Sequence, residues 1–394
     1  MIAMENMIAL DQQYVAGTYN RFPVALVSGK GSVFTDADGK QYIDMGSGIG
    51  VTCFGAADDQ WVSAVTEQLG KLQHTSNLYY TSPCAKLAKA LCERAGMKKV
   101  LFSNSGAEAN ECAMKVARKY SAEKKGSGCF TIVTLVNSFH GRTLTTLAAT
   151  GQDHFHELFQ PLTPGFIHVQ AGDVEGLRKT VQETSVAGIM LECVQGEGGV
   201  IPLSREFVAA AAALAKEQDI PLIVDEVQTG NGRTGSLYAY MNYGIQPDIV
   251  STAKGLGGGL PIGATLMGEK VQNVLGPGDH GSTYGGNPVC CAGALSVINR
   301  LDDRFLAEVR EKSDYIFEAL AGAEGVLDVS GMGLMIGIRT EKPAKEVVSA
   351  CMERGVLCLT AKEKVRLLPA LNIPMDVLKR AIDVIKEVCG EKGV

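Results

Sequence analysis

Short apolar runs alternate with helix-like patterns between residues 98 and 270. Most of these runs are almost uniformly apolar and do not alternate between apolar and polar residues. This pattern is typical of strands in a parallel sheet that is covered on both faces. The predicted strands are VLFS (100–103), TIVTLV (131–136), AGIMLE (187–192), PLIVD (221–225), DIVST (248–252) and GATLMG (263–268). A helix is predicted after Ser105, where apolar residues recur at every third or fourth position. The pattern predicts an α/β domain with a mostly parallel central sheet.

The two ends of the chain follow different patterns. Residues 18–50 contain two strand-like pieces around an Asp-Gly turn, in GSVFTDADGKQYIDM, which predicts an antiparallel hairpin. Residues 300–394 contain amphipathic helices around VLDVSGMGLMIGIRT, which predicts a second, smaller sheet. We therefore expect a large domain from residues 51–292. A small α+β domain would be built from both chain ends, residues 1–50 and 293–394.

Composition narrows the class of protein. The chain has 394 residues, of which 46% are hydrophobic and 20% are charged, so it is long enough and apolar enough to form a large core. A net charge of −6 supplies no basic field, so nucleic acid is not an expected partner. The longest apolar run, FVAAAAALA (207–215), predicts a buried helix, because it is far shorter than a membrane span of about 18 residues.

The cysteines and histidines bear on location and on metals. Eleven cysteines are scattered without a CxxC pair, which indicates reduced thiols and a cytoplasmic location. The first ten residues, MIAMENMIAL, lack a basic residue and make a poor signal peptide. The six histidines form no metal-ligand pattern, and HFH (154–156) alone is too weak a signal, so no metal site is predicted.

Polar, glycine-containing motifs follow or close five of the predicted strands. They are SNSGAEAN (103–110), NSFHGRT (137–143), ECVQGEGG (192–199), DEVQTG (225–230) and AKGLGGG (253–259). In open parallel sheets, ligands bind beyond the carboxyl ends of the strands, where such motifs would meet. Their convergence predicts a ligand site at this edge of the sheet.

Three of the motifs supply the groups that pyridoxal phosphate requires. Lys254 could form a Schiff base with the aldehyde, and Asp225 could keep the ring nitrogen protonated. The residues Ser105–Ala107 open a helix whose free backbone amides could bind the phosphate. Each motif also has a simpler interpretation, since SGAE fits an ordinary helix cap, Asp225 could cap a turn, and Lys254 could be solvated.

The chain resembles the class-III aminotransferases, which depend on pyridoxal phosphate and have fold type I. The resemblance spans residues 18–370 and rests on several long motifs in order, among them HTSNLYY, SNSGAEANECAMKVARKY, NSFHGRTLTTLAATG, QGEGGV, DEVQTGNGRTG, AKGLGGGLPIGA and GDHGSTYGGNP. Three stretches depart from the family pattern. GAADDQ (55–60) replaces G-H-x-H-P, Cys193 replaces a proline, and LPA (368–370) replaces LPP.

The resemblance implies a role for each matched cofactor residue. Lys254 would bond to the cofactor and move a proton, and Asp225 would pair with the ring nitrogen. Gln228 would reach the phenolic oxygen, while Phe139 and Val227 would cover the two ring faces. The phosphate would be held by Ser105, Gly106 and Ala107 of one subunit. Thr283 would reach the phosphate of the neighbouring subunit, which implies a homodimer with shared active sites.

The resemblance also implies substrate-binding residues. Within the family, the likeness is greatest to members that transfer the distal amine of acetylornithine to 2-oxoglutarate, in arginine biosynthesis. Arg142 would bind the α-carboxylate of acetylornithine, and Arg366 that of glutamate or 2-oxoglutarate. Glu197 would neutralise Arg366 in the first half-reaction and release it in the second, because an unpaired buried charge is costly. Ser282 would lie near the substrate.

Several other functions fit the same motifs. Related amino donors are succinylornithine, ornithine, N-acetyllysine and 4-aminobutyrate. A pyridoxal-phosphate isomerase of the same fold would share Lys254 and Asp225 but would need no 2-oxo acid. A cofactor-binding regulatory domain is a further alternative, although the chain has no spare region for a DNA-binding module.

Overall fold

A computed structural model describes residues 4–391 of the chain. Its largest element is a central sheet, which has seven strands in the described part of the chain. In chain order these strands are β4 (Lys99–Ser103), β5 (Thr131–Leu135), β6 (Phe166–Val169), β7 (Val186–Leu191), β10 (Leu222–Asp225), β11 (Ile249–Thr252) and β12 (Gly263–Met267). Their spatial order is β4-β12-β11-β10-β7-β5-β6. The six strands predicted from the apolar runs are all present.

The sheet is parallel except at one strand. β10 pairs in parallel with β7 and β11, and β5 pairs in parallel with β6 and β7. β12 is antiparallel to both of its neighbours, β11 and β4. The edge strand β6 was not predicted, because it is short, only partly buried and interrupted by His168. The mostly parallel α/β sheet is therefore confirmed.

Helices cover both faces of this sheet. Those between residues 59 and 298 are α3 (Asp59–Leu69), α4 (Ser82–Ala95), α5 (Gly106–Lys125), α6 (Leu144–Ala149), α7 (Val174–Glu183), α8 (Arg205–Glu217), α9 (Tyr240–Tyr243) and α10 (Pro288–Ile298). Two 3₁₀ turns add Asp153–Phe155 and Lys254–Leu256. The predicted helix after Ser105 is α5, and the run FVAAAAALA lies in α8.

α5 illustrates how a helix covers the apolar strands of the sheet. Its apolar side, which includes Ala109, Ala113 and Val116, is fully buried. That side packs into one cluster with Ile223 of β10 and Ile249 of β11. Small alanines let the helix approach the strands closely, so the apolar runs of the strands are covered and their polar neighbours are left at the strand ends.

The two ends of the chain share a sheet. β1 (Leu26–Lys30), β2 (Val33–Asp36) and β3 (Gln41–Asp44) form an antiparallel meander, and β15 (Val356–Leu357) from the C-terminal region pairs in parallel with β3. The predicted Asp-Gly hairpin is the β2–β3 turn. This pairing joins the two ends of the chain in one sheet, and the small domain built from both ends stays a prediction.

The C-terminal region adds a second four-stranded sheet. Its strands are β13 (Val326–Met332), β14 (Met335–Thr340), β16 (Leu359–Ala361) and β17 (Lys364–Leu367), in the order β13-β14-β17-β16. A short hairpin of β8 (Val194–Gln195) and β9 (Ile201–Pro202) lies against it. The remaining helices are α1 (Met4–Tyr14), the distorted turn α2 (Ser47–Gly50), α11 (Asp303–Leu320), α12 (Ala344–Glu353) and α13 (Met375–Gly390). Among residues 4–391, the model contains no helix with the length and apolar character of a membrane span.

Candidate active site

The carboxyl edge of the central sheet borders a cavity of about 400 Å³, which we call the cofactor cavity. β4, β10 and β11 all end at this edge, because Ser103 lies opposite Gly263 and Asp225 lies opposite Ser251. Eight of the nine predicted cofactor residues line the cavity, namely Ser105, Gly106, Ala107, Phe139, Asp225, Val227, Gln228 and Lys254. The convergence of separate strand ends predicted from the sequence is present in the structure.

Asp225 is the last residue of β10, and its side chain is buried and immobilised. Its Oδ2 atom accepts hydrogen bonds from Asn110 Nδ2 and pairs with His140 Nδ1, both at 2.8 Å. Its Oδ1 atom accepts the backbone amide of Val227 at 2.9 Å. These three contacts fix the direction of the carboxylate.

Asn110 and His140 were not predicted as site residues. Asn110 lies in the first part of α5, and its amide also donates to the His140 carbonyl at 2.8 Å. His140 Nε2 and Asn110 Oδ1 are buried and have no hydrogen-bond partner among the described residues. Both residues belong to motifs that the sequence singles out, FHGR and GAEAN, but their contact with Asp225 depends on the packing of α5 against β10.

Lys254 follows β11 after one residue and lies in the left-handed region, with φ of +45°. Burial lowers the pKa of its amine, and Arg366 lowers it further, while Glu197 and Asp225 act in the opposite direction. The next residue must be glycine, since a Cβ on Gly255 would lie 2.6 Å from Cys53 Sγ. The loop therefore holds the amine in the cavity, in a setting that lowers its pKa.

The residues Ser105–Ala107 form the N-terminus of the 20-residue helix α5. Ser105 Oγ accepts the amide of Glu108 at 3.2 Å, as predicted for the cap. The predicted capping box is incomplete, because Glu108 Oε2 accepts the Ser105 hydroxyl at 3.0 Å and the backbone amide of Asn104 at 2.9 Å, not the backbone amide of Ser105. Gly106 allows close packing, because a Cβ there would lie 2.6 Å from Val227 Cγ1. A helix N-terminus that opens into a cavity is a suitable place for a phosphate group.

An ion pair adjoins the cavity beside Gln228. Arg366, on β17, is 4% exposed, and its Nη1 atom lies 2.5 Å from Glu197 Oε1 and donates to Gln228 Oε1 at 3.2 Å. Gln228 Nε2 in turn approaches Glu197 Oε1 at 3.4 Å. Burial alone would raise the pKa of Glu197, but Arg366, Lys254 and Gln228 together outweigh this effect and the net pKa is lowered. The predicted partners are therefore paired.

Arg142 lies outside the cofactor cavity and is exposed. Its guanidinium carbon stands 4.1 Å from the ring centroid of Phe155 and 5.4 Å from that of Phe139, which lines the cavity. The two rings contact each other edge to face, with centroids 6.1 Å apart. Arg142 is thus held by aromatic stacking near the cavity, where a substrate carboxylate could reach it.

Ser282 and Thr283 line a different cavity of about 650 Å³, which we call the rim cavity. Its other lining residues include His74, Tyr79 and Tyr80. Asn104 connects the two cavities, because it lines the cofactor cavity and its Nδ2 atom donates to Ser282 Oγ at 3.0 Å. Within a single chain, Thr283 therefore lines the rim cavity and not the cofactor cavity that contains the Ser105–Ala107 helix terminus.

The cofactor cavity fits pyridoxal phosphate by its donor set. It holds an amine whose pKa is lowered, a buried carboxylate fixed by three partners, and the helix N-terminus at Ser105–Ala107. Apolar side chains of Val227 and Phe139 also face the cavity, so a flat ring could be packed from its faces. The cavity therefore brings together an amine for the aldehyde, an acid for the ring nitrogen, a binding site for the phosphate and two apolar side chains for the faces of the ring.

Comparison with known proteins gives consistent results. Residues 14–389 match the model of the family described as aminotransferase class-III. The acetylornithine aminotransferase of Haemophilus ducreyi is 50% identical and covers 97% of this chain and 98% of its own. That of Methanocaldococcus jannaschii is 41% identical, with 99% of each chain covered.

Solved structures agree with this assignment. The ornithine aminotransferase of Toxoplasma gondii superimposes with a TM-score of 0.94 at 30% identity, covering 99% of this chain and 95% of its own. The acetylornithine aminotransferase of Elizabethkingia anophelis has a TM-score of 0.89 at 32% identity, covering 98% and 99%. Sequence and structure together place this chain in the class-III aminotransferase family.

Proposed function

We propose that the protein is a pyridoxal-phosphate-dependent aminotransferase that moves the distal amino group of acetylornithine to 2-oxoglutarate, giving N-acetylglutamate 5-semialdehyde and glutamate. The observation that carries the proposal is the cofactor cavity, where Lys254, Asp225 and the Ser105–Ala107 helix terminus face one space. Relatives named acetylornithine aminotransferase support the choice of donor, since two of them match nearly the whole chain.

The cavity residues would hold the cofactor in a single orientation. Ser105, Gly106 and Ala107 would bind its phosphate, Asp225 would contact its ring nitrogen, and Lys254 would bond to its aldehyde carbon. Val227 and Phe139 would pack on the ring, and Gln228 would reach its phenolic oxygen. When bound, pyridoxal phosphate supplies a ring that accepts the electrons released at the carbon next to the amine.

Two residues would manage the protons of the reaction. Lys254, whose pKa is lowered mainly by burial, can take a proton from the carbon that bears the donor's amino group. Asp225 can stabilise a proton on a ring nitrogen, because Asn110 and His140 hold its carboxylate in place. A proton at that position strengthens the electron demand of the ring.

The two substrates differ in where a carboxylate lies relative to the reacting amine. Acetylornithine has no carboxylate beside its distal amine, whereas glutamate has one beside its α-amine. Arg366 would be masked by Glu197 in the first half-reaction and would bind the glutamate α-carboxylate in the second. Arg142 would bind the remote carboxylate of either substrate, and Ser282 would lie near it.

A homodimer would complete the site. Thr283 lines the rim cavity and not the cofactor cavity of its own chain, so it would reach the phosphate bound by a second copy. In this proposal, residues 51–292 form the large domain, and residues 1–50 and 293–394 form the small domain. The scattered cysteines favour a cytoplasmic location for this dimer.

An amino-donor panel tests the proposal. Purified protein would be incubated with 2-oxoglutarate and equal concentrations of acetylornithine, succinylornithine, ornithine, N-acetyllysine or 4-aminobutyrate, and glutamate formation would be measured. Acetylornithine is expected to give the largest kcat/KM. A larger value for another distal amine would reassign the donor, and an absence of glutamate with every donor would refute aminotransfer.

A further inference from the structure

Glu192 joins two loops that border the cofactor cavity. It follows β7 directly, lines the cavity and is only 5% exposed. Its Oε1 atom accepts the backbone amide of Phe139 at 2.9 Å, and its Oε2 atom accepts the amide of Gly196 at 3.2 Å. Both oxygens of one carboxylate are therefore engaged by backbone groups that lie far apart in the chain.

The two amides belong to segments that contribute residues to the site. Phe139 presents its ring to the cavity and stands beside Arg142. Gly196 immediately precedes Glu197, the partner of Arg366. Gly196 packs closely against Gln228, since a Cβ there would lie 2.5 Å from Gln228 Oε1. Glu192 thus contacts the segment that presents the ring of Phe139 and the segment that presents Glu197 to Arg366.

Keeping an acid at this position has a cost. Burial raises the pKa of Glu192 to about 7, and the nearby Asp225 raises it too, while His140 and the two backbone amides act against the shift. Glutamine would fill the same volume without this cost, but its amide has one oxygen and one NH₂ group. A carboxylate has two acceptor oxygens, one for each of the two amides.

We propose that Glu192 is a positioning residue that sets, through the amides of Phe139 and Gly196, both the ring wall of the cofactor cavity and the turn that presents Glu197 to Arg366. This role deepens the proposed function and rests on it for its catalytic consequence. It links cofactor affinity to the choice between distal and α-amino donors, two properties that substitution of Phe139 or Glu197 alone would change separately.

The informative variant is Glu192→Gln. It keeps the side-chain size but places an NH₂ group against one backbone N–H, so one loop loses its anchor. Glu226→Gln is a matched control, because Glu226 is equally buried, has a pKa raised to about 7 by burial, and accepts the amides of Ala239 and Tyr240 at 2.9 Å each. Glu226 does not line the cofactor cavity.

Two measurements on the purified holoenzyme separate positioning from folding. Equilibrium dialysis gives the Kd for pyridoxal phosphate, and single-turnover absorbance changes give the rates with acetylornithine and with glutamate. We expect Glu192→Gln to weaken cofactor binding about tenfold and to shift the ratio of the two rates about tenfold, as for one lost buried hydrogen bond. Glu226→Gln should lower the thermal unfolding temperature comparably and change neither quantity.

Equal effects of the two variants on affinity and rate ratio, or no effect of Glu192→Gln, would overturn the positioning role. If the wild type transferred no amino group, the proposed function would fail, while the dialysis comparison would still decide whether Glu192 anchors the ring wall. If Glu192→Gln did not fold, amide hydrogen exchange of the wild type would decide. Slow exchange at Phe139 and Gly196 is expected, and fast exchange at either would refute the anchor.

Discussion

The cofactor cavity and the rim cavity are neighbours of very different construction. In the first, polar side chains are buried and fixed, as in Asp225, which is 3% exposed and has three partners. In the second, large side chains face solvent, and Tyr79 and Tyr80 are 69% and 105% exposed. The first site is built within one chain, whereas the second has the open apolar surface expected where another copy binds.

This contrast divides the predicted residues into two groups. Those that line the cofactor cavity belong to strand ends that one chain holds together. Ser282 and Thr283 belong to a surface whose function, under the proposal, depends on assembly. Substitutions in the first group should therefore act within a subunit, and substitutions in the second group should act across subunits.

The largest effect is expected for Lys254→Ala. Loss of the amine should abolish transamination with every donor, because it removes both the covalent attachment and the proton carrier. Activity and the visible absorbance of the bound cofactor would be measured together, with Lys270→Ala, a lysine that instead pairs with Asp248, as the control. Retained turnover in Lys254→Ala would mean that the cofactor cavity is not the reaction site.

Asp225→Ala should reduce turnover by several orders of magnitude while the protein still folds and binds cofactor. The reason is that no carboxylate would remain to hold the proton on the ring nitrogen. Stopped-flow measurement of each half-reaction would quantify the loss. Near-normal rates would show that Asp225 only fixes the turn at Val227.

Arg366→Ala should affect the two half-reactions unequally. Removing a two-pronged contact to a carboxylate should slow the reaction with glutamate or 2-oxoglutarate roughly 100-fold and largely spare that with acetylornithine. Glu197→Ala should do the converse, because an unmasked Arg366 would favour α-amino acids over distal amines. Equal slowing of both half-reactions in Arg366→Ala would contradict the masking of Arg366 by Glu197.

A hybrid dimer tests whether the rim cavity acts across subunits. Thr283→Ala alone should weaken cofactor binding about tenfold, as for one hydrogen bond to a charged group. If one subunit carries Lys254→Ala and its partner carries Thr283→Ala, shared sites place both changes in one active site and leave the other intact. Differently tagged subunits would be co-expressed and purified. A hybrid whose surviving site still has the weak cofactor affinity of Thr283→Ala would refute sharing.

The smallest effect concerns the aromatic support of Arg142. Phe155→Leu keeps an apolar side chain but removes the ring that lies 4.1 Å from the guanidinium. We expect KM for acetylornithine to rise about threefold with little change in kcat, since an exposed cation–π contact contributes about 0.5–1 kcal/mol. Phe155→Tyr should behave like the wild type, and a change confined to kcat would exclude a binding role.

The sequence was most informative about residues that follow apolar runs. Five of the six predicted strands have a polar motif at their ends, so Lys254, Asp225 and Ser105 could be assigned to one edge of the sheet from the sequence. The parts that could not be predicted depend on contacts between elements. The bonds of His140 and Asn110 to Asp225, and of Glu192 to Phe139, require the packing of separate segments.

The direction of a strand could not be predicted from the pattern of apolar residues either. GATLMG has the apolar composition of its neighbours, yet β12 runs antiparallel to them. Burial determines composition, and both orientations bury the strand equally, so the apolar run predicts a strand but not its direction. The Glu197–Arg366 pair was suggested by the family resemblance, whereas its link to Gln228 became visible only in the structure.

The reversed direction of β12 has a consequence for how this site can vary. Because β11 ends and β12 begins at the same edge, the segment 253–262 that carries Lys254 leaves the sheet and returns to it without crossing a face. Each end is anchored by strand pairing, and Gly263 is pressed against Ser105, where a Cβ would lie 2.2 Å from the carbonyl oxygen. Insertions should therefore be tolerated poorly in segment 253–262 and better in the crossover connections on the faces of the sheet. The chain could then vary in length in those connections, while the segment that carries Lys254 would keep its length.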